Sequence, residues 1–151
     1  LLNGQKKFSD SVSMSDTIWI CGDAEKLPID DMSIDVYTIA FGLRNVTNIQ
    51  VALEEAHRVL RPGGRFLCLE FSDFSIRVLK PLYEAYSFKV IPQIGKVVAN
   101  DKGSYKYLVE SIRKFPDQSQ LISQMREAGL ENCKFRNLSG GIAAIHSAWR
   151  I

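Results

Sequence analysis

Cysteine is scarce in this chain: Cys21, Cys68 and Cys133 are the only three in 151 residues, and no two stand at CxxC spacing. An odd number of isolated cysteines argues against a disulfide framework or a cysteine-based zinc site. Their mostly strand-like neighbours lead us to expect reduced core thiols in an intracellular protein. Charge of one sign is also lacking, since 19 Lys and Arg against 17 Asp and Glu leave a net +2 with no long basic run. That balance points away from nucleic acid as a partner. No apolar stretch approaches the roughly 20 residues needed to span a bilayer. The two histidines, His57 and His146, have no metal-like partner at short spacing, so structural roles and no metal are expected. HExxH, a nucleophile-elbow serine and a glycine-rich phosphate loop are all missing. No repeat or low-complexity segment occurs. What is present is ordinary for a soluble globular domain: 46% apolar and 24% charged residues, in a chain long enough for one core.

The pattern along the chain alternates strand and helix. Leu1 to Lys7 reads as the tail of a helix begun upstream, so a piece of a longer chain is expected; residues 8–16 read as a polar loop. Thr17 to Cys21 reads as a strand ended by Gly22-Asp23, Asp30 to Ser33 as a turn, and Asp35 to Ala40 as a second strand. After the loop Gly42 to Val46, Thr47 and Gln50 fit a capping box, and Val46 and Val51 a hydrophobic staple. Ala52, Leu53, Ala56, Val59 and Leu60 then recur at helical spacing. Pro62-Gly63-Gly64 turns the chain into an apolar strand, 66–70, of the kind covered on both faces of a parallel sheet. This is a βαβ unit. Residues 73–115 break the alternation with two amphipathic helical stretches, one over Val78 to Phe88 and one over Tyr105 to Ile112. Their aromatic stripe reads either as core or as a cap over the sheet's carboxyl edge. Asp117 and Gln120 open a last helix that buries Leu121, Ile122, Met125 and Ala128 and ends at Gly129. Two final strands, about 130–138 and 142–149, are joined by Ser139-Gly140-Gly141 and should pair antiparallel.

In such sheets ligands gather at the carboxyl ends of the strands. Asp23 follows the first strand. Its carboxylate could accept a hydrogen bond from an exocyclic amine while the Ala24 N–H approaches a ring nitrogen; a plain Gly-Asp turn is the competing reading. Arg44, in Phe41-Gly42-Leu43-Arg44-Asn45-Val46, leaves the carboxyl end of the second strand, although a lone loop arginine is commonly solvated. Glu70 ends the strand 66–70 and either meets a substrate or caps the strand.

The stretch Arg58 to Ser72, with Arg61-Pro62-Gly63-Gly64 and Leu69-Glu70-Phe71-Ser72, resembles the second signature of the ubiquinone/menaquinone C-methyltransferase family. Arg61 stands where lysine is usual. Phe41 to Thr47 is similar to that family's own loop. Further matching segments are Gly22 to Pro28, Tyr86 to Pro92, Tyr107 to Arg113, Ala128 to Leu130 and Ala144 to Ser147. The Ala56-His57-Arg58 and Tyr86 to Pro92 segments look more like mitochondrial members than bacterial ones.

The resemblance implies an α/β, Rossmann-like sheet of S-adenosylmethionine-dependent methyltransferases. Residues 1–151 would be one partial domain lacking the first two strands and the glycine-rich loop, with an antiparallel last strand and a helical insert at 73–115. It implies C-methylation of a polyprenyl benzoquinol ring in coenzyme Q biosynthesis, with S-adenosylmethionine as cofactor. Asp23, Ala24 and Ala40 would hold the cofactor, Arg44 and Asn45 would act in catalysis, and Phe41, Glu70 and Tyr86 would meet the substrate. Arg44 would hold a water or the developing oxyanion, since a guanidinium is a poor base. The insert would cover the prenyl tail. Implied partners are other enzymes of the coenzyme Q complex and a peripheral contact with the matrix side of the mitochondrial inner membrane. The alternative is a noncatalytic truncated form that serves as an interaction module. The catalytic reading expects Asp23 and Arg44 to converge on one hollow.

Overall fold

A computed structural model describes residues 17–72 and 102–151. In chain order its elements are β1 (Ile34–Ala40), α1 (Ile49–Val59), β2 (Leu60–Phe71), α2 (Lys102–Lys114), α3 (Gln118–Glu127), β3 (Glu131–Leu138) and β4 (Ala143–Trp149). They form a four-stranded sheet in the order β1-β2-β4-β3. β1 and β2 run parallel, as the βαβ reading requires, and β4 runs antiparallel to both β2 and β3. The last strand therefore lies inside the sheet.

The core sits between one face of the sheet and the helices α1 and α3. Leu53, Ala56, Leu121 and Met125 of the helices are fully buried against Phe66, Cys68 and Ala148 of the strands. The period-2 alternation in β2 decides which side chains go in: Phe66, Cys68 and Glu70 are buried, while Leu67, Leu69 and Phe71 are half-buried. The apolar run 66–69 had suggested a strand covered on both faces. Among the described residues, Val36, Ile145 and Trp149 on the other face stay substantially exposed.

Three local expectations change. Thr17 to Cys21 is not a strand; Ile18 is 84% exposed and Cys21 is exposed rather than a core thiol. A strand needs a partner for its backbone groups, and among the described residues β1 is the sheet's edge. The α1 cap is Asn48, not Thr47: its side chain accepts from the Gln50 and Val51 amides at 3.0 and 3.4 Å. The cap has moved one residue on, so Val46 and Val51 lose the staple spacing. Finally, β2 starts at Leu60 rather than residue 66. The Pro-Gly-Gly turn is a bulge within it, and the pairing with β1 slips between Ile34 and Val36. Glycine is required in that bulge. Gly63 has φ +81°, and a Cβ on Gly64 would meet the Arg61 carbonyl oxygen at 2.8 Å.

The last helix follows its sequence pattern closely. Asp117 and Gln120 make the reciprocal capping box, and Leu121, Ile122, Met125 and Ala128 are buried. The second helical stretch of the insert is α2, while the stretch over Val78 to Phe88 lies outside the described residues.

Arg150 fixes the end of α1. Its Nη1 donates to the carbonyl oxygens of His57, Arg58 and Leu60 at 2.8–3.0 Å. A cation at the carboxyl end of a helix satisfies free carbonyls and complements the dipole. Arg150→Met should therefore lose about 2 kcal/mol of stability. An unchanged urea midpoint in equilibrium unfolding of the full chain would contradict this.

Candidate functional site

The segment that carries Asp23 is docked onto α1 by side chains. The Glu25 carboxylate accepts from the Thr47 and Asn48 amides, and Glu55 accepts from the Leu27 amide at 2.9 Å. Arg58 bonds Glu55 and Asp31 and donates to the Leu27 and Ile29 carbonyls. Held this way, the Gly22 to Pro28 turn lies beside the loop that carries Arg44. Asp23 is exposed, and its Oδ1 accepts from the Glu25 amide at 2.9 Å. Among the described residues its other carboxylate oxygen and the Ala24 N–H have no partner. An unengaged acceptor next to an unengaged donor is the pairing that the amine and ring nitrogen of an adenine edge would need. Ala40 closes β1 and is exposed at its carboxyl end.

Beyond Ala40 the backbone turns sharply. Phe41 adopts φ +53°, and its amide donates to the Leu69 carbonyl at 2.8 Å. A phenylalanine in the left-handed region is strained and marks a position that the surroundings impose. The turn Leu43–Asn45 then buries Leu43 in the core and presents Arg44 and Asn45.

Arg44 is not a solvated loop arginine. Its Nη1 pairs with Glu70 Oε2 at 2.9 Å, and the two side chains are 11% and 0% exposed. The Arg44 amide donates to Glu70 Oε1 at 3.2 Å. The rings of Phe41 and Phe71 lie 5.9 and 5.3 Å from the guanidinium carbon, within reach of a cation–π contact. Asn45 donates to the Phe41 carbonyl at 3.3 Å and accepts from the Tyr107 hydroxyl at 3.0 Å.

A pocket of about 440 Å³ opens here, between α2 and the amino end of α1. This is within the range of about 300–1,000 Å³ usual for small-molecule sites. Arg44, Asn48 and Gln50 line one side, and Tyr107, Ser111 and Lys114 line the other. Asp23 is not among the lining residues. The loops that carry Asp23 and Arg44 are neighbours joined through Glu25, and this pocket lies on the Arg44 side. Glu70 lies behind Arg44 rather than in the pocket wall. Tyr86 lies outside the described residues.

Two contributors escaped the sequence reading. Glu25 sat inside a quoted motif, but nothing local marks a carboxylate that will cap a helix 22 residues away. Tyr107 opened the matching segment Tyr107 to Arg113, which marks the stretch but names no partner 62 residues away. The histidines and the buried cysteine behave as structural groups. His146 is 2% exposed. Burial, then the charge of Glu70, pushes the Cys68 thiol up to about 12, so it stays protonated. Among the described residues no group of His, Cys, Asp and Glu could hold a metal ion.

A parallel pair, an antiparallel strand inserted beside it, and a site at the carboxyl end of β1 define the Rossmann-like sheet of S-adenosylmethionine-dependent methyltransferases. Solved structures agree on the fold. A SAM-dependent methyltransferase of Thermotoga maritima, described as a possible histamine N-methyltransferase, matches with a TM-score of 0.60 at 23% identity, over 86% of this chain and 62% of its own. One from Aquifex aeolicus matches with a TM-score of 0.65 at 13% identity, over 97% and 61%. The model of the ubiE/COQ5 methyltransferase family matches residues 1–150, and the chain belongs to that family. The ubiquinone/menaquinone biosynthesis C-methyltransferase UbiE of Roseobacter denitrificans is 53% identical over 100% of this chain and 60% of its own length. The mitochondrial 2-methoxy-6-polyprenyl-1,4-benzoquinol methylase of Mus musculus is 54% identical over 98% and 45%. The chain thus spans between roughly half and three fifths of these relatives.

Proposed function

We propose that the full protein transfers a methyl group to a ring carbon of a polyprenyl benzoquinol in ubiquinone biosynthesis, with S-adenosylmethionine as donor. Family membership supports this enzymatic reading over that of an interaction module. The observation that carries it is Arg44, a guanidinium fixed by a buried carboxylate at the strand's carboxyl end, on the wall of a polar pocket.

The chemistry explains why arginine suits this place. A quinol ring carbon becomes strongly nucleophilic when a ring hydroxyl loses its proton, yet phenols titrate near about 10. A site working near neutrality must therefore stabilise the phenolate. A guanidinium is a lasting cation with fixed donor geometry, and the position of Arg44 is set by Glu70 before substrate arrives. It holds the developing oxyanion, or the water that takes the proton. Asn45, tied to Phe41 and Tyr107, keeps the loop in register with α2. Phe41 offers an aromatic face beside the guanidinium, and Tyr86 is a further substrate contact. Asp23 and Ala24 read the adenine edge, with Ala40 beside the cofactor. When bound, S-adenosylmethionine supplies an electrophilic methyl on its sulfonium.

The insert 73–115 serves as the cover for the prenyl tail. The mitochondrial relatives support a mitochondrial protein. We place it at the matrix side of the inner membrane as a peripheral member of the coenzyme Q assembly. Among the described residues no helix is long and apolar enough to cross a membrane. The test supplies the full protein with methyl-labelled S-adenosylmethionine and a prenylated methoxy-benzoquinol that has one free ring position. Label should appear on ring carbon with the reduced quinol and not with its oxidised quinone. Label on oxygen, or equal labelling of the quinone, would refute the reading.

A further inference from the structure

We propose that Glu70 is a positioning residue for the reaction: it sets the direction of the Arg44 guanidinium and acts on substrate only through it. This deepens the reading of Arg44 given above and rests on it. Glu70 is the only fully buried carboxylate among the described residues. It stands next to the last position of β2, on the face that otherwise carries Phe66 and Cys68. A charge there is tolerated only when paired and hydrogen-bonded. Its bonding is directed at one residue. Oε2 takes Arg44 Nη1 at 2.9 Å, and Oε1 takes the Arg44 backbone amide at 3.2 Å. The same carboxylate therefore holds both the root and the tip of a long, flexible side chain.

The remaining contacts close the clamp. Oε2 also accepts from the Phe71 amide at 3.2 Å, so both carboxylate oxygens are engaged within the protein. Phe41 and Phe71, with ring centroids 4.7 Å apart, both lie near the guanidinium. Arg44 itself is not saturated. Among the described residues Nε and Nη2 have no hydrogen-bond partner, and the side chain lines the pocket. Nη1 is spent on orientation and Nε is buried, which leaves Nη2 with donors to give. The β1–β2 register makes this possible: Ala40 is opposite Leu69, so the turn after β1 comes to lie beside Glu70.

The experiment compares wild type, Glu70→Gln, Glu70→Asp, Arg44→Ala and the double variant Arg44→Ala/Glu70→Gln in the full protein. Circular dichroism melting and calorimetric S-adenosylmethionine binding report the fold and the cofactor side. We expect Glu70→Gln to lower kcat tenfold or more with cofactor affinity unchanged, and Glu70→Asp to recover part of that loss. The double variant should be no slower than Arg44→Ala, because the two residues act as one unit. A second readout does not depend on turnover. In nitrogen-15 spectra the Arg44 guanidinium should rotate slowly in wild type and faster in both Glu70 variants. If Glu70→Gln fails to fold, Glu70→Asp carries the same two tests. Wild-type kcat in the Glu70 variants beside an inactive Arg44→Ala would overturn the positioning role and leave the function standing. Losses that multiply in the double variant would overturn it too. An active Arg44→Ala would instead remove the reading on which the inference rests.

Discussion

Arg44→Ala in the full protein should lower kcat for quinol methylation by about 10²–10³-fold, the usual effect of removing one preorganised donor to a developing oxyanion. KM for S-adenosylmethionine should stay near wild type, because Asp23 and Ala24 are outside the Arg44 pocket. The same change has a structural cost that must be separated from the chemical one. It leaves the Glu70 carboxylate, 0% exposed, without its cation, and breaking a buried pair on one side costs about 3–5 kcal/mol. Arg44→Ala/Glu70→Gln removes both charges and should regain stability without regaining turnover. Steady-state kinetics well below the melting temperature, with urea unfolding of each variant, separates the two effects. Near-normal turnover in Arg44→Ala would remove this residue from the mechanism.

The second large effect is on stability against acid. His146 is 2% exposed, and among the described residues neither ring nitrogen has a side-chain hydrogen bond that meets normal geometry. Burial, opposed by the nearby Gln118 backbone, pushes its pKa down to about 4. Cys68 of β2 and Phe135 of β3 are its directly paired cross-strand neighbours, and neither carries a charge to balance an imidazolium. The unfolded chain binds a proton at about 6.5, whereas the folded protein does not bind it until about 4. Acidification through that window therefore favours unfolding. Above about 6.5 the stability is complete; by pH 5 about 2 kcal/mol should be gone from this group. His57, also lowered by burial and then by the charge of Arg150, adds in the same direction. Urea unfolding of wild type and His146→Gln at pH 7 and pH 5 checks this. The variant should show a clearly shallower pH dependence, and equal slopes would count against His146.

Local chemistry was legible in the sequence, and long-range chemistry was not. The α3 cap could be read because Asp117 and Gln120 are three residues apart and satisfy each other. The α1 cap was misread by one residue although Thr47 and Gln50 fit the same rule. Glu25, 22 residues upstream, takes the Thr47 amide, and Asn48 becomes the cap. Thr17 to Cys21 has the composition of a strand, but strand formation needs a neighbour that no composition reveals. The candidate site divides in the same way. Arg44 stood out through its motif and the strand it follows. Its partnership with Glu70 spans 26 residues and depends on the register of β1 on β2. The Tyr107–Asn45 bond spans 62 residues and depends on where α2 lands.

The interior position of β4 has a bearing on biogenesis. β2 and β3 are both hydrogen-bonded to β4 and not to each other. During synthesis they must emerge and wait, their edges open, until residues 143–149 clear the ribosome. Parallel and long-range pairings form slowly and leave such edges prone to association. A nascent chain stalled before residue 143 would present two strands with no common template. Those ribosome-bound intermediates, more than the finished molecule, are where chaperone contact should concentrate.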